Sequence, residues 1–330
     1  MGKVHLTLAC WDYDRTRALQ DGRVQVEGVE LTYLPLRVEE TFWRMLRHQE
    51  FDAAELSMGS YLMAREKGSP KLIAIPIFPS RAFRHSCIYI NTESGIKEPK
   101  DLAGKRVGVP EYQVTMAIWA RGILQHEYGV KPEQMKWFTG GEEHVGREDK
   151  IKHDLPKSID IRPIASDQTL SSMLERGEID AILSPHIPSP FVRRSPKVRR
   201  LIPNFPQVEK DYYRRTKIFP IMHTVALRED FYKKNPWVAQ SLCKAFAESK
   251  RICQESMYEF SALKYMLAWS IAEMEDEREL FGDELWPYGL EANRHVLETL
   301  VQYAHEQGLI KNRPDLKSLF APNTLEEFKI

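Results

Sequence analysis

No surplus of either charge marks this chain. Its 47 Lys and Arg are matched by 47 Asp and Glu, so the formal net charge at pH 7 is zero. A nucleic-acid partner would call for a basic excess to neutralise phosphates, and none is expected. No apolar run approaches the roughly 18 residues of a membrane-spanning helix, so no membrane partner is expected either. The opening stretch Met1–Cys10 lacks the apolar region of an export signal, and Asp12 and Asp14 follow at once, which points to a cytoplasmic location. Leu8-Ala9-Cys10 has no such region ahead of it to make a lipoprotein site. Leu6 stands where a myristoylation motif needs Ser or Thr. The four cysteines, Cys10, Cys87, Cys243 and Cys253, show no C-x-x-C spacing and read as reduced, mostly buried thiols. There is no G-x-G-x-x-G, no phosphate loop and no G-x-S-x-G, so dinucleotide, nucleoside-triphosphate and serine-hydrolase chemistry lack support.

What is present is enough chain for a sizeable core: 330 residues, 42% of them hydrophobic, most naturally two α/β lobes. Strands are expected at Leu6–Cys10, Val29–Pro35, Phe51–Leu56, Ile73–Phe78, His85–Asn91 and Arg106–Val109, with a returning strand at Met222–Leu227. Glu39–His48 has the spacing of an amphipathic helix with Phe42, Met45 and Leu46 on one face. Ser57 is placed to cap a helix over Met58–Glu66. One unit occurs twice: Met45-Leu46, a tight turn, then Phe51-Asp52-Ala53 and a buried strand ending in Ser57 is echoed by Met173-Leu174, a turn, then Ile179-Asp180-Ala181 and a strand ending in Ser184. In open α/β sheets ligands bind at the carboxyl ends of strands, so Ser57 and Ser184 are expected on opposite walls of a central cleft.

Asn91–Tyr112 reads as a strand, a polar turn, a short Asp-Leu-x-Gly helix and a new strand. It resembles the lobe-crossing signature of periplasmic-type solute-binding proteins. Residues 1–105 plus 219–330 are assigned to one lobe, with helices at the C-terminal end, and 106–218 to the other. Thr139–Pro156, rich in Gly, Glu, Lys and His, is expected to be a solvated loop.

Several side chains are candidates for chemistry. Pro79–Ser86 carries Arg81, Arg84 and His85; a guanidinium fork suits a carboxylate, and an extended backbone would point the two arginines to opposite sides. Trp11-Asp12-Tyr13 follows the first strand, offering stacking from Trp11 or Tyr13 and a carboxylate for ring hydroxyls. Glu111, Gln113 and Thr115 open a helix, where backbone N–H groups attract anions. His186 and His223 join His85 as histidines at expected strand ends, where a proton donor working near neutral pH would sit. Glu142, Glu143, His144 and His153 are close in sequence but match no established metal spacing. No cofactor is expected, with a divalent metal left open.

The stretches Phe51–Ser57, Arg81–Ser86, the crossing signature, Trp286–Arg294, Glu306–Ile310 and Leu319–Pro322 together resemble the 4,5-dihydroxyphthalate decarboxylase family of bacterial phthalate breakdown. Trp286–Arg294 is the most specific of these. The resemblance implies a type II periplasmic-binding-protein fold kept in the cell, an aromatic dicarboxylate as substrate, and loss of one carboxylate to give protocatechuate. On that reading Arg81 or Arg84 clamps the retained carboxylate, Asp12 or Glu111 accepts from the catechol, and His85, His186 or His223 protonates the ipso carbon. The alternatives are another unexported lyase or dehydratase for a cyclic carboxylate on this fold, and a solute-binding protein for aromatic carboxylates. A pyrimidine synthase of thiamine biosynthesis lacks its cysteine-rich signature here, and the strand at Leu6 leaves no room for the DNA-reading domain of a regulator. A homo-oligomer is open, with helices within 237–305 the candidate face.

Overall fold

The computed structural model describes residues 2–147, 149–151 and 154–325. The chain divides into two units: Met1–Arg81, His223–Leu297 and Pro314–Ile330 form the first, Ala82–Met222 and Glu298–Arg313 the second. Among the described residues the strands are β1 Val4–Ala9, β2 Val29–Leu34, β3 Ala53–Ser57, β4 Leu72–Ile75, β5 Ile88–Asn91, β6 Arg106–Val109, β7 Lys136–Thr139, β8 Asp160–Pro163, β9 Ala181–Leu183, β10 Val198–Arg200 and β11 His223–Arg228.

The first unit's sheet runs β2-β1-β3-β11-β4. β1, β2 and β3 are parallel, and β11 is antiparallel to β3 and β4. All five residues of β3 are buried, as a central strand covered on both faces requires. The helix Val38–His48 buries Phe42, Met45 and Leu46, the face its spacing indicates, and ends where Gln49 turns left-handed at φ 51°. Ser57 Oγ accepts from Ser60 N–H at 3.5 Å and so starts the helix Met58–Lys67. The long helix Trp237–Met257 adds Val238, Leu242 and Phe246 to the core around Leu6, Leu8 and Val225.

The second unit's sheet runs β10-β5-β9-β6-β7-β8. β9, β6, β7 and β8 are parallel, while β5 is antiparallel to β9 and β10. This moves the division of the chain. β5 was expected in the same lobe as residues 1–105, but its backbone pairs with Ala181–Leu183 and Val198–Arg200, so the boundary falls ahead of it, at 81/82. The return comes at 222/223, and residues 298–313 belong to the second unit rather than the first. The Asp-Leu-x-Gly stretch is a 3-10 turn, Pro99–Leu102, started by Asp101, whose Oδ2 accepts from Lys97 N–H at 2.8 Å and Glu98 N–H at 3.0 Å.

The internal echo has a physical basis. Asp52 Oδ2 accepts from Thr7 N–H on β1 at 2.9 Å, and Asp180 Oδ2 accepts from Arg106 N–H on β6 at 2.8 Å. In each unit the repeated aspartate tethers the strand that leads the parallel pair. The preceding turn needs a positive φ in both copies, supplied by Gln49 at 51° and Gly177 at 74°. Aligned without a gap on the two aspartates, however, Ser184 matches Leu56 rather than Ser57, because β3 continues to Ser57 while β9 stops at Leu183. No helix among the described residues is long and apolar enough to cross a membrane.

Asp180 also receives two guanidinium bonds from Arg106, at 3.0 and 2.7 Å. Replacing Asp180 by Ala removes the acceptor of a strand N–H and leaves Arg106 without its carboxylate. The expected cost is about 1–3 kcal/mol, read as a lower midpoint in chemical denaturation. Asp52→Ala should behave alike, and an unchanged midpoint in both would rule out the tether.

Candidate active site

In the first unit the site is built around Glu55. This residue points from the middle of the sheet with no exposed surface, and every polar neighbour is a donor. Oε2 accepts from Trp11 N–H at 3.0 Å and from the Cys10 thiol at 3.6 Å. Oε1 accepts from the Tyr13 hydroxyl at 2.6 Å and from His223 Nδ1 at 2.6 Å. The register of β11 on β3 sets His223 opposite Ser57, two residues along the strand from Glu55 and on the same face. Burial opposes ionisation of Glu55, but the hydrogen bonds and charge of His223, with those of Tyr13 and Trp11, outweigh it and hold the carboxyl below its usual pKa. Burial first, and then the carboxylate, push the Tyr13 hydroxyl and the Cys10 thiol well up, so both stay protonated donors.

The hydrogen bond to Glu55 assigns the proton of His223 to Nδ1, since an ionised carboxylate only accepts. Phe42 meets the ring edge-on at 4.9 Å between centroids. Nε2 has no hydrogen-bond partner among the described residues, which leaves it to give or take a proton. Of the three candidate histidines, His223 has the geometry of a carboxylate-oriented acid–base group.

The loop after β1 is arranged differently from expectation. Asp12 is exposed and forms an ion pair with Arg17 at 2.5 Å, and Tyr13 turns its hydroxyl inward to Glu55. Trp11 binds through its backbone: its carbonyl accepts from Tyr33 Oη at 3.0 Å. Arg15 had not stood out in the sequence. Its guanidinium stacks on Tyr13 and Trp286, 4.0 and 4.2 Å from the ring centres, and its Nε donates to Pro79 O at 2.6 Å. Trp286 Nε1 in turn donates to Phe78 O at 2.8 Å, and Gly289 N–H to Pro76 O at 2.8 Å. Arg81 completes this lattice: it is buried, donates to Pro287 O at 2.9 Å and bonds the Asn293 side chain. The Trp286–Arg294 motif therefore fastens the 76–81 segment, and Arg81 is the fastener rather than an open carboxylate clamp.

In the second unit Arg84 is half-buried. Its Nε donates to Met222 Sδ at 3.1 Å, and no carboxylate bonds it among the described residues. Burial lowers its pKa, with Cys87 and Glu209 opposing the shift. A guanidinium whose remaining donors have no strong acceptor is suited to an anionic ligand. His85 is buried against Tyr212, and its Nδ1 is 3.7 Å from Glu209 Oε1, too long for a hydrogen bond. That same oxygen accepts from the backbone N–H groups of His85 and Ser86 at 3.1 and 3.3 Å. Glu209 thus holds the lead-in to β5, a role with no local sequence signal.

Glu111 does not stand ready as an acceptor. It is buried, its Oε1 receives Arg147 Nε and Nη2 at 2.8 and 2.6 Å together with the Lys150 ammonium, and its Oε2 receives Gln113 Nε2 at 2.6 Å and Lys150 N–H at 3.1 Å. Gln113 and Thr115 are buried beside it, Thr115 as the first residue of the helix Thr115–Tyr128. These bonds also correct the reading of residues 139–156: its described residues after Thr139 have no regular structure, but Glu142, Lys150 and Ile151 are buried, because Glu111 draws Lys150 inward. Ser184 is buried after β9, with its hydroxyl bonded to the Glu142 side chain and, at 2.6 Å, to the carbonyl of His186. The His186 residue is exposed. Among the described residues no group of three or more His, Cys, Asp or Glu side chains is placed to hold a metal; His153, weighed above as a ligand, lies outside them. All four cysteines are buried and free.

Residues 23–151 match the family model described as the periplasmic substrate-binding protein of a phosphonate ABC transporter. The chain is similar in structure to the periplasmic aliphatic sulphonate binding protein SsuA from Escherichia coli, at 14% identity and a TM-score of 0.54 over 98% of this chain and 99% of that one. It is equally similar to the desulfurization enzyme DSZB, at 13% identity and a TM-score of 0.54 over 98% of each chain. The fold is that of the type II solute-binding proteins, shared by transport components and an enzyme. In sequence the chain is 42% identical over 214 residues to the 4,5-dihydroxyphthalate decarboxylase of Pseudomonas putida, covering 65% of this chain and 83% of that one. It is 39% identical over 330 residues, the full length of both proteins, to that of Comamonas testosteroni. The chain belongs to the 4,5-dihydroxyphthalate decarboxylase family.

Proposed function

We propose that this protein decarboxylates 4,5-dihydroxyphthalate to protocatechuate and CO2, with His223 as the proton donor. The observation that carries the activity is the 39% identity to a protein of that name across the whole of both chains. The assignment of His223 rests on its geometry: Nδ1 anchored on a buried carboxylate at 2.6 Å and Nε2 open.

The chemistry follows from the substrate. Each carboxylate is para to a ring hydroxyl, whose lone pair raises electron density at the ipso carbon. His223 in its protonated form gives the Nε2 proton to that carbon. The carbon–carboxylate bond then breaks, its electron pair restores the aromatic ring, and CO2 departs; one proton replaces one CO2. Glu55 stabilises the imidazolium from which the proton leaves and keeps the ring oriented, while Tyr13 and Trp11 N–H keep Glu55 ionised. The retained carboxylate needs a guanidinium partner, and Arg84 in the second unit has donors that meet no strong acceptor and suit such a group. Holding the leaving carboxylate as firmly would stabilise the ground state along with the transition state and gain no rate.

His223→Asn, whose amide nitrogen can take the place of Nδ1 in the bond to Glu55, should lower kcat by about 10²–10⁴-fold while the unfolding midpoint stays near wild type, as measured by chromatography of protocatechuate and by calorimetry. Unimpaired turnover in this variant would move the acid to another residue. Because the Glu55 carboxyl is held below its usual pKa, its contribution to stability is present above the ordinary carboxylate range and is lost as the pH falls through its folded value. Denaturation midpoints of wild type and Glu55→Gln should therefore differ at neutral pH and converge on acidification. Arg84→Gln should weaken binding of phthalate, a non-reactive analogue, by about 30-fold, equivalent to about 2 kcal/mol, by isothermal titration. Arg81→Gln should instead lower the unfolding midpoint, and the reverse pattern would exchange the two assignments.

A further inference from the structure

The hydrogen bonds around Ser184 do not balance if every carboxyl of the second unit is ionised. A serine hydroxyl has one proton to donate and two lone pairs to accept with. Ser184 Oγ lies in hydrogen-bonding contact with three groups: the Glu142 Oε1 atom, the His186 carbonyl at 2.6 Å and the His186 backbone N–H at 3.1 Å. The N–H can only donate and the carbonyl can only accept. If Glu142 is ionised it too can only accept, and one proton must serve two acceptors, leaving two bare oxygens pressed together. If Glu142 carries a proton, the contacts resolve: Glu142 and His186 N–H donate to Ser184 Oγ, and Ser184 donates to the His186 carbonyl.

A second observation agrees. Glu142 is 5% exposed, and its other oxygen, Oε2, is buried with no hydrogen-bond partner among the described residues. A buried anionic oxygen without a donor is costly, and a neutral carboxyl loses much less. Glu143, next in the chain, shows the contrast. Its Oε1 accepts from Ser171 Oγ at 2.5 Å and Ser189 N–H at 2.8 Å, and its pKa is held below the usual value despite partial burial.

We propose that Glu142 is a neutral carboxylic acid at neutral pH and a positioning residue of the second unit, setting the direction of the hydrogen bonds that hold the Ser184–His186 turn. This turn follows the carboxyl end of β9, the position where open α/β sheets receive their ligands. The part that concerns the ligand rests on the function proposed above; the protonation does not. A neutral acid at this place spares a dianionic aromatic dicarboxylate the repulsion of a further negative charge.

Burial raises the Glu142 pKa; Ser184 and the charges of His186 and Arg147 oppose this, and Glu143 adds to it. Cys87 and Tyr89 also lie within electrostatic reach. A raised folded pKa means that the stabilisation is complete at low pH and is lost as the pH rises through it. Ionisation would then force Ser184 to turn its proton from the His186 carbonyl to Glu142 and release the turn.

The test is infrared difference spectroscopy on the full chain, comparing wild type with Glu142→Gln across neutral pH. Wild type should show the carbonyl stretch of one protonated carboxyl that the variant lacks and that disappears on alkalinisation. Its absence at neutral pH would overturn the proposal whatever the enzyme does. Glu142→Gln, a neutral isostere whose amide can donate to Ser184, should keep the unfolding midpoint and phthalate binding. Its binding should also lose the alkaline fall expected of wild type. Glu142→Ala should loosen binding about 10-fold or more, or about 1.4 kcal/mol, at every pH. A Gln variant as impaired as the Ala variant would mean that Glu142 acts as an anion and would refute the inference. Wild type failing to decarboxylate 4,5-dihydroxyphthalate, with the infrared band present, would instead overturn the function and leave the protonation standing.

Discussion

A carboxylate at the centre of a sheet is an expensive thing to bury, and the first unit is organised around making Glu55 tolerable. Its donors come from two separate places in the chain: the loop after β1, which supplies the Cys10 thiol, Trp11 N–H and the Tyr13 hydroxyl, and the start of β11, which supplies His223. Each must be within hydrogen-bond distance at once, because any one missing leaves charge without compensation in a site with no exposed surface. The requirement fixes more than a side chain. It sets the register of β11 against β3 and the path of the chain out of β1, and it assigns the tautomer of His223. Orientation of the imidazole and stability of the sheet end are therefore one interaction seen from two sides. The same burial that makes Glu55 a structural demand makes it a strong partner for an imidazolium.

The second unit uses carboxyl groups in a related way, each met by a different set of partners. Glu209 takes two backbone N–H groups ahead of β5, Glu111 takes two cations and an amide after β6, and Glu142 takes a serine after β9. All three bind loops at strand ends, where backbone groups have left the ladder and need partners. Glu111 draws in Lys150 and Arg147 and so packs a stretch whose composition alone looks like open loop. Of the three, the carboxyl bonded by neither a cation nor a backbone N–H is the one whose hydrogen bonds balance as a neutral acid.

The strands of the first unit, with β5, β6 and β9, the helix faces and the duplicated helix–turn–strand unit were legible in the sequence, because they rest on local periodicity and on a repeated aspartate that does the same job twice; β7, β8 and β10, of three or four residues each, were not. The division of the chain was not. β5 carries nothing in its own residues to say which sheet it joins; that is decided by antiparallel pairing with strands about ninety residues on. The site was legible by neighbourhood more than by role. Trp11, Asp12 and Tyr13 were rightly placed after β1, yet which of them faces inward depends on Glu55, forty residues away. Glu55 itself had a signal that was available. In the ungapped repeat it stands where the second copy has Leu183, an acid replacing an apolar residue in a buried strand. A charge at a position that its own repeat marks as core calls for a partner.

The two arginines of Pro79–Ser86 show why residue type and spacing fall short of assigning a role. Both have the fork that fits a carboxylate, and an extended backbone sends them to opposite sides. What separates them is the supply of acceptors elsewhere in the chain. Arg81 meets a carbonyl and an amide oxygen from the Trp286–Arg294 motif, more than two hundred residues away, and is held by them. Arg84 meets a thioether, a poor acceptor for a guanidinium, and keeps its binding capacity. The most specific motif in the sequence thus acts on the chemistry indirectly. By occupying Arg81 and stacking on Arg15 it makes the 76–81 segment rigid, and rigid support is what lets the neighbouring residues hold a fixed geometry for a reacting ring.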